Sequence, residues 1–439
     1  MSKKILIIYE KMGMGHLRMA NILEDMLQGE EVEIIKHAGS DLLNDRSITG
    51  LVKLWNFLIK KNWIRIADLF MNYFLRLFIL PVFESTNTKP LLDKVEEINP
   101  DIIICTSDAY NKILGGYAKE RSIPFYIFIT EISIFVDLVN PYATHLCYFN
   151  ETGEAIRNYD FDSVYYSYKL SKLSKITDKL EFISKYYKEY ILEGYKNSIF
   201  RNPEVEMTQN NNAKYRVIGP LAEKKHFTEK DIEAIKQKYG INNGFDNVIL
   251  ASGSIGGKFL VEMVKSICKA YNKPLNLLVI CGKDEKTYAK LEKLEVNNFE
   301  VKVIPYRYIE SFNELLAAAD CLIGRPSAGI FIESLINRTP EITFKKATSN
   351  DKGTLTMISK YEIGKVVEDK EDVAEALKDI LDNKGKYQNN IDKLLSSYCP
   401  DYENKKLLLR DIILTNEGFQ YDLDESFDAE VGLNTPMSR

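Results

Sequence analysis

Four histidines, two tryptophans and six cysteines are all that 439 residues contain of these types. The cysteines (Cys105, Cys147, Cys268, Cys281, Cys321 and Cys399) form no C-x-x-C pair, and most sit inside apolar runs. That pattern argues against a disulfide framework or a zinc site and reads as free thiols in a reducing cytosol. Neither a His/Cys ligand cluster nor an Asp-x-Asp motif stands out, so no obligatory metal is expected. No stretch of 18 uncharged apolar residues occurs, so no spanning helix is expected. The N-terminus, MSKKILIIYE, is too short in its apolar part for a signal peptide and reads as a first strand. An excess of positive charge is also missing: the net charge of −5 is unlike that of a general nucleic-acid binder.

What is present is an alternation of short apolar strands and helical patterns. Ile5–Tyr9 is followed by Gly13-Met14-Gly15-His16 and a helical run from Leu17 to Leu27. Val32–Ile35, Asp101–Cys105 and Phe125–Thr130 are further strands. The rhythm resumes at Tyr215 with Asn247–Ala251, Leu275–Cys281, Phe299–Ile304, Asp320–Gly324 and Glu341–Phe344. Continuous apolar strands separated by helices indicate parallel sheets covered on both faces. The fold class is therefore α/β, with two Rossmann-like, doubly wound domains facing across a cleft. The expected boundaries are 1–150, a helical insertion at 151–213, a second domain at 214–415 and an acidic tail at 416–439.

Residues 51–83 break the rhythm. They hold both tryptophans, and Lys53, Lys60, Lys61, Arg65 and Arg76 stand against one acid, Asp68, in the stretch before Glu84. Aromatics interleaved with cations suit an interfacial helix pair on an anionic membrane surface. An ordinary amphipathic pair packed on the domain is the other reading.

Ligands of open parallel sheets bind beyond the carboxyl ends of the strands. At those ends, Gly13, Met14 and Gly15 open a loop before a helix, and His16 stands where it can take a proton from an acceptor hydroxyl or merely cap the helix. The loop is no dinucleotide fingerprint, because a third glycine and the acid after the second strand are missing. Gly253, Ser254 and Gly256 follow another strand. Arg325, Pro326, Ser327, Ala328 and Gly329 lead into a helix, the arrangement of a diphosphate site. Glu333, one turn later, either accepts bonds from a ribose diol or faces solvent. Asn350-Asp351 either read sugar hydroxyls or make a turn.

Taken together, Gly13-Met14-Gly15-His16, Asn99-Pro100-Asp101, Thr130-Glu131, Gly219-Pro220, Ser252-Gly253-Ser254, Cys281-Gly282-Lys283, Arg325–Gly329, Glu333 and Asn350-Asp351 resemble a GT-B glycosyltransferase. The resemblance is to the monogalactosyl- and glucosyl-diacylglycerol synthases and, more distantly, to the GlcNAc transferase that makes lipid II. It implies a UDP-sugar donor, inversion, and no cofactor or metal. It assigns Glu333 to the ribose, Ser327, Ala328 and Gly329 to the diphosphate, and the backbone from Ile304 through Tyr306 to Arg307 to uracil. Gly253, Ser254, Gly256, Cys281, Gly282, Arg325, Asn350 and Asp351 complete the donor side. His16 or Glu131 is the expected base, and the acceptor is a lipid, a polyprenyl-linked sugar or a glycan. The implied place is the cytoplasm, peripheral on the inner face of the membrane. The family's Thr-Asp is here Thr130-Glu131, and its Gln-Glu is Asn350-Asp351. These departures keep open a UDP-sugar 2-epimerase of the same fold and a non-catalytic UDP-sugar-binding subunit.

Overall fold

The computed structural model of the chain describes residues 2–11, 15–43, 54, 57–58, 63–70, 80–157, 173, 175–186, 214–251, 257–295 and 298–415. Gly13, Met14, Gly253, Ser254, Gly256 and the acidic tail lie outside the described residues.

Two parallel six-stranded sheets organise the molecule. The first contains β1 (Lys3–Tyr9), β2 (Val32–Ala38), β3 (Ile102–Cys105), β4 (Phe125–Phe128), β5 (Thr144–Cys147) and β6 (Lys214–Val217), in the order β2-β1-β3-β4-β5-β6. The second contains β7 (Asp246–Ala251), β8 (Leu275–Ile280), β9 (Val301–Tyr306), β10 (Cys321–Gly324), β11 (Glu341–Phe344) and β12 (Gly364–Val367), in the order β12-β11-β10-β7-β8-β9. Ile5 to Ile8 and Leu277 to Val279 are fully buried, as uninterrupted apolar strands covered on both faces must be. The two doubly wound sheets agree with the expected fold class.

Each order reverses at one place, and that is where a parallel sheet opens a crevice for a ligand. In the first sheet the reversal lies between β1 and β3, and in the second between β7 and β10. After β1 the chain enters helix Gly15–Leu27, and after β10 residues 325–327 lead into helix Ala328–Ile336.

Two boundaries differ from the expected ones. Lys214–Val217 pairs with β5 and forms the edge of the first sheet, so the second sheet begins only at Asp246. Helix Tyr402–Leu414 returns to the first lobe and lies on helix Gly15–Leu27: Tyr126 Oη donates to Ile412 O at 2.9 Å, and Arg410 Nη1 donates to Leu27 O at 2.6 Å. Its apolar side, Leu409 and Ile413, is buried in that contact. Chain order says nothing about which sheet a strand or helix joins, and pairing and burial decide it. The zone expected to be an insertion starts with helix Asn150–Arg157, the crossover between β5 and β6, where a Cβ on Gly153 would lie 2.2 Å from the Tyr215 ring. Helix Ile176–Tyr186 is the other described part of that zone.

The lobes meet through one apolar cluster containing Ile132, Phe149, Phe331 and Met357. Phe149 packs on Phe331 with ring centroids 6.2 Å apart and on Tyr398 at 5.8 Å. The Gly353 N–H donates to Ser133 Oγ across the junction at 2.7 Å. A Cβ there would lie 2.6 Å from Ser133 N, so glycine is what lets helix Lys352–Lys360 abut the first lobe.

All six cysteines are free, four of them buried. Burial pushes the thiols of Cys105, Cys147 and Cys281 up to about 12, which makes them inert core groups.

Candidate active site between the lobes

His16 opens helix Gly15–Leu27 at the reversal of the first sheet. Its Nδ1 lies 2.5 Å from Thr106 O, at the end of β3, and 3.5 Å from Thr130 Oγ1, beyond the end of β4. Thr106 Oγ1 donates to His16 O at 3.1 Å. A carbonyl oxygen only accepts, so Nδ1 carries a proton, and in the neutral imidazole the lone pair is then on Nε2. Glu131 follows Thr130. The buried Tyr148 phenol, pushed up first by burial, is also raised by Glu131 and Glu333 and lowered by Arg18.

At the second reversal, Ser327 precedes helix Ala328–Ile336 in an extended conformation, and its side chain makes no capping hydrogen bond. The first-turn N–H groups of a helix have no partners within it, so this end offers bare donors and the positive end of the dipole. A Cβ on Gly329 would meet nothing within 4 Å, and the same holds for Gly15. Neither glycine is demanded by packing or by a left-handed backbone. Both leave open space at the mouth of the cleft. Arg325 is half-buried beside this end. Burial lowers its guanidinium, and the nearby Asp351 opposes that shift. Asp351 accepts from Thr348 Oγ1 at 2.7 Å and, with Asn350, leads into helix Lys352–Lys360.

Glu333 is buried, which rules out the solvent-facing reading. Its carboxylate pairs with Arg18, reaching over from helix Gly15–Leu27. Arg18 Nε also donates to Glu223 Oε1 at 2.9 Å, and Arg18 Nη2 lies 3.3 Å from His226 Nε2. Burial raises the Glu333 carboxyl to about 7 and outweighs Arg18. His226 goes the other way, down to about 3, by burial first and then by Arg18. Arg18, Glu223 and His226 were not anticipated from sequence, because no linear spacing connects a helix of one lobe with a linker some 200 residues away.

On the remaining donor-side positions the structure is more sparing. The Cys281 side chain is fully buried, its Sγ 3.9 Å from Val279 O, so only backbone at Cys281 and Gly282 can line a site. Tyr306 Oη donates to Tyr239 O at 2.5 Å. Arg307 is held by Glu285 at 3.0 Å and stacks over Tyr288 at 3.8 Å, so its side chain is engaged with helix Glu285–Glu292. Side chains at 306 and 307 are thus committed elsewhere, and the backbone is what remains.

Residues 247–398, from β7 through the bare helix end to the return segment, match the model described as Glycosyltransferase family 28 C-terminal domain. The chain is a glycosyltransferase, and its second lobe carries the segment similar to this family 28 domain. The glycosyltransferase is similar to the processive diacylglycerol beta-glucosyltransferase of Bacillus pumilus, 21% identical over 94% of this chain and 95% of that one. It is also similar to monogalactosyldiacylglycerol synthase 1 of Arabidopsis thaliana, 22% identical over 33% of this chain and 28% of that one. A third relative is the UDP-N-acetylglucosamine--N-acetylmuramyl-(pentapeptide) pyrophosphoryl-undecaprenol N-acetylglucosamine transferase of Clostridium botulinum, 28% identical over 25% of this chain and 30% of that one. Among solved structures, MurG of Acinetobacter baumannii superposes with a TM-score of 0.58 at 13% identity, covering 94% of this chain and 100% of that one. The calicheamicin glycosyltransferase CalG4 superposes with a TM-score of 0.54 at 12% identity, covering 99% and 100%. These likenesses establish the GT-B fold of the glycosyltransferase.

Proposed function

We propose that this glycosyltransferase moves a hexose, with inversion and without a metal, from a UDP-sugar to the hydroxyl of a membrane lipid of the diacylglycerol class. The observation that carries the donor half is the uncapped start of helix Ala328–Ile336, with open space at Gly329 and a buried carboxylate at Glu333. The diphosphate sits on the first-turn N–H groups, where the charge that grows on the departing UDP meets fixed dipoles. Glu333 accepts from the ribose hydroxyls and shares its oxygens with Arg18. Asn350 and Asp351 face the hexose, and the backbone near Tyr306 reads the base.

The base is His16. Its Nδ1–H is pinned by Thr106 O, which leaves Nε2 to take the acceptor proton as the hydroxyl oxygen attacks the anomeric carbon. Glu131, at the neighbouring strand end, positions the acceptor. The named activity of the Bacillus pumilus relative, which matches along nearly its whole length, supports a glycerolipid acceptor. So does the surface near 51–83. Leu58, Ile64 and Ala67 face inward, yet Phe57, Trp63, Ile66 and Leu69 are each half or more exposed. An amphipathic helix on a water-facing surface turns polar groups outward; apolar groups outward beside the exposed Arg65 fit the headgroup region. On this reading the protein works peripherally on an anionic leaflet. An epimerase needs no acceptor and gives this surface no role.

The test is transfer from UDP-glucose or UDP-galactose to diacylglycerol in anionic mixed micelles, with the product's anomeric configuration read by NMR and UDP binding by calorimetry. Product of inverted configuration formed in the presence of a metal chelator is expected. No heat with UDP, or a product of retained configuration, overturns the proposal.

A further inference from the structure

The chain crosses between the lobes twice, outward through Ile218–Asp231 and back through Ser396–Asp401. A cavity of about 600 Å³ lies between these crossings and the far end of helix Ala328–Ile336. The helix separates it from the cleft: nine residues at ~1.5 Å each put roughly 13 Å between Asn337 and the bare N-terminus. Two ammonium groups line it. Lys405 is 2% exposed, and its described hydrogen bond is to Ile218 O at 3.2 Å. Lys230 donates to His226 O at 3.4 Å and Thr228 O at 3.0 Å. Among the described residues neither has a carboxylate within ion-pair distance. The third cation of the wall, Arg338, is already paired with Asp392 at 2.5 Å. Glu229 stands at the exposed rim.

Buried ammonium groups without a counter-ion are costly, and proteins normally pair them. Burial pulls Lys405 down to about 8 and lowers Lys230 as well. The rest of the wall mixes hydrogen-bonding groups, Asn337 and Ser396, with apolar surface from Phe227 and Leu395. The volume lies in the range of small-molecule sites, far larger than one inorganic ion needs. We infer that this hinge cavity binds a small organic phosphate, with its phosphate between Lys405 and Lys230 and its carbon portion against Phe227 and Leu395.

The place gives such a ligand a lever. His226 forms part of the cavity wall, and its ring nitrogens reach Arg18 at 3.3 Å and Asn337 at 3.1 Å. Asn337 in turn donates to Glu333 O at 2.8 Å. Occupancy therefore bears on the group that holds Glu333 and changes donor affinity; this last clause rests on the donor reading, and the binding inference does not.

The experiment is calorimetry on the full chain with glycerol 3-phosphate, inorganic phosphate and glycerol. Saturable binding of glycerol 3-phosphate is expected, weaker binding of inorganic phosphate and none of glycerol. Lys230→Met should weaken it at least about tenfold, the loss of one charge-assisted contact. Lys405→Met should abolish it, and if that variant does not fold, Lys230→Met decides. Gly329→Ala, at the other end of the helix, should leave it unchanged. Absence of saturable binding, equal affinity for the bare ion, or loss in Gly329→Ala with retention in Lys230→Met overturns the inference. Titration of UDP into the same samples reports the donor site separately, so failure of one reading is distinguishable from failure of the other.

Discussion

The two sheet reversals that face the cleft are built differently. At the first, the polar atoms are already engaged with one another: His16 on Thr106, Thr106 back on His16, and Glu10 accepting from Lys11 N at 2.6 Å and Ser40 Oγ at 2.8 Å. At the second, the helix start at Ser327 makes no side-chain cap, and Gly329 faces open space. On the proposed reading the first is the acceptor corner, with its described polar atoms held by the protein as a base that must be aimed requires. The second, read as the donor corner, leaves hydrogen-bonding capacity for the ligand to fill. A charged link, Arg18 on Glu333, joins the two corners among the described residues.

The largest effect that could break this comparison is at His16. His16→Ala should lower kcat for the proposed hexose transfer by at least about 100-fold, within the usual range for a general base, while UDP affinity stays within about twofold. Wild-type turnover would move the base to Glu131 and make His16 structural.

Next comes pH, which probes the buried polar order of the acceptor lobe. His145 is fully buried, accepts from Asn140 N at 3.0 Å and has its Nδ1 2.9 Å from Lys214 O, and burial lowers it to about 4. Below the unfolded value of about 6.5 the unfolded chain takes up a proton that the folded chain refuses. Stability is therefore lost as pH falls from about 6.5 to about 4, by on the order of 3 kcal/mol from this group. Glu333, raised to about 7, acts in the opposite sense, because the folded state holds its proton where the unfolded state releases it. Urea unfolding across this window should show a positive slope that flattens in His145→Gln and steepens in Glu333→Gln.

Two glycines sharpen the contrast directly. Gly353→Ala drives a Cβ into the Ser133 backbone and should cost about 1–3 kcal/mol of stability. Gly329→Ala meets nothing, so the melting temperature should hold or rise slightly, since alanine favours a helix. UDP affinity should nevertheless fall about tenfold, because the added methyl occupies the space left for phosphate. Unchanged UDP affinity in that variant removes the bare helix end from the donor site.

The smallest expected effect is at the outer surface. Trp63→Ser together with Leu69→Ser should weaken co-sedimentation with anionic vesicles roughly tenfold and leave soluble-donor hydrolysis unaltered. Binding of the wild type that is indifferent to salt or to anionic lipid would count against the interfacial reading.

Much of this was legible in the residues. Uninterrupted apolar strands such as Ile5–Ile8 announced a covered parallel sheet, and the small residues at Ser327–Gly329 announced the start of a helix. What was not legible involves partners distant in the chain. Arg18 reads as one more polar residue on a surface helix, and Glu223 as part of a linker. The resemblance assigned only backbone at Tyr306 and Arg307, and what the side chains do there, on Tyr239 and Glu285, is set by packing.

The sequence by itself determined which segments become strands and helices and which strand ends carry glycine, hydroxyl and carboxylate groups, because period, apolarity and capping chemistry act over a few residues. Only the tertiary structure decided that β6 closes the first sheet, that helix Tyr402–Leu414 returns to it, and that Arg18 meets Glu333. Those outcomes depend on which apolar faces bury one another and which charges are desolvated together, and both are properties of the folded chain.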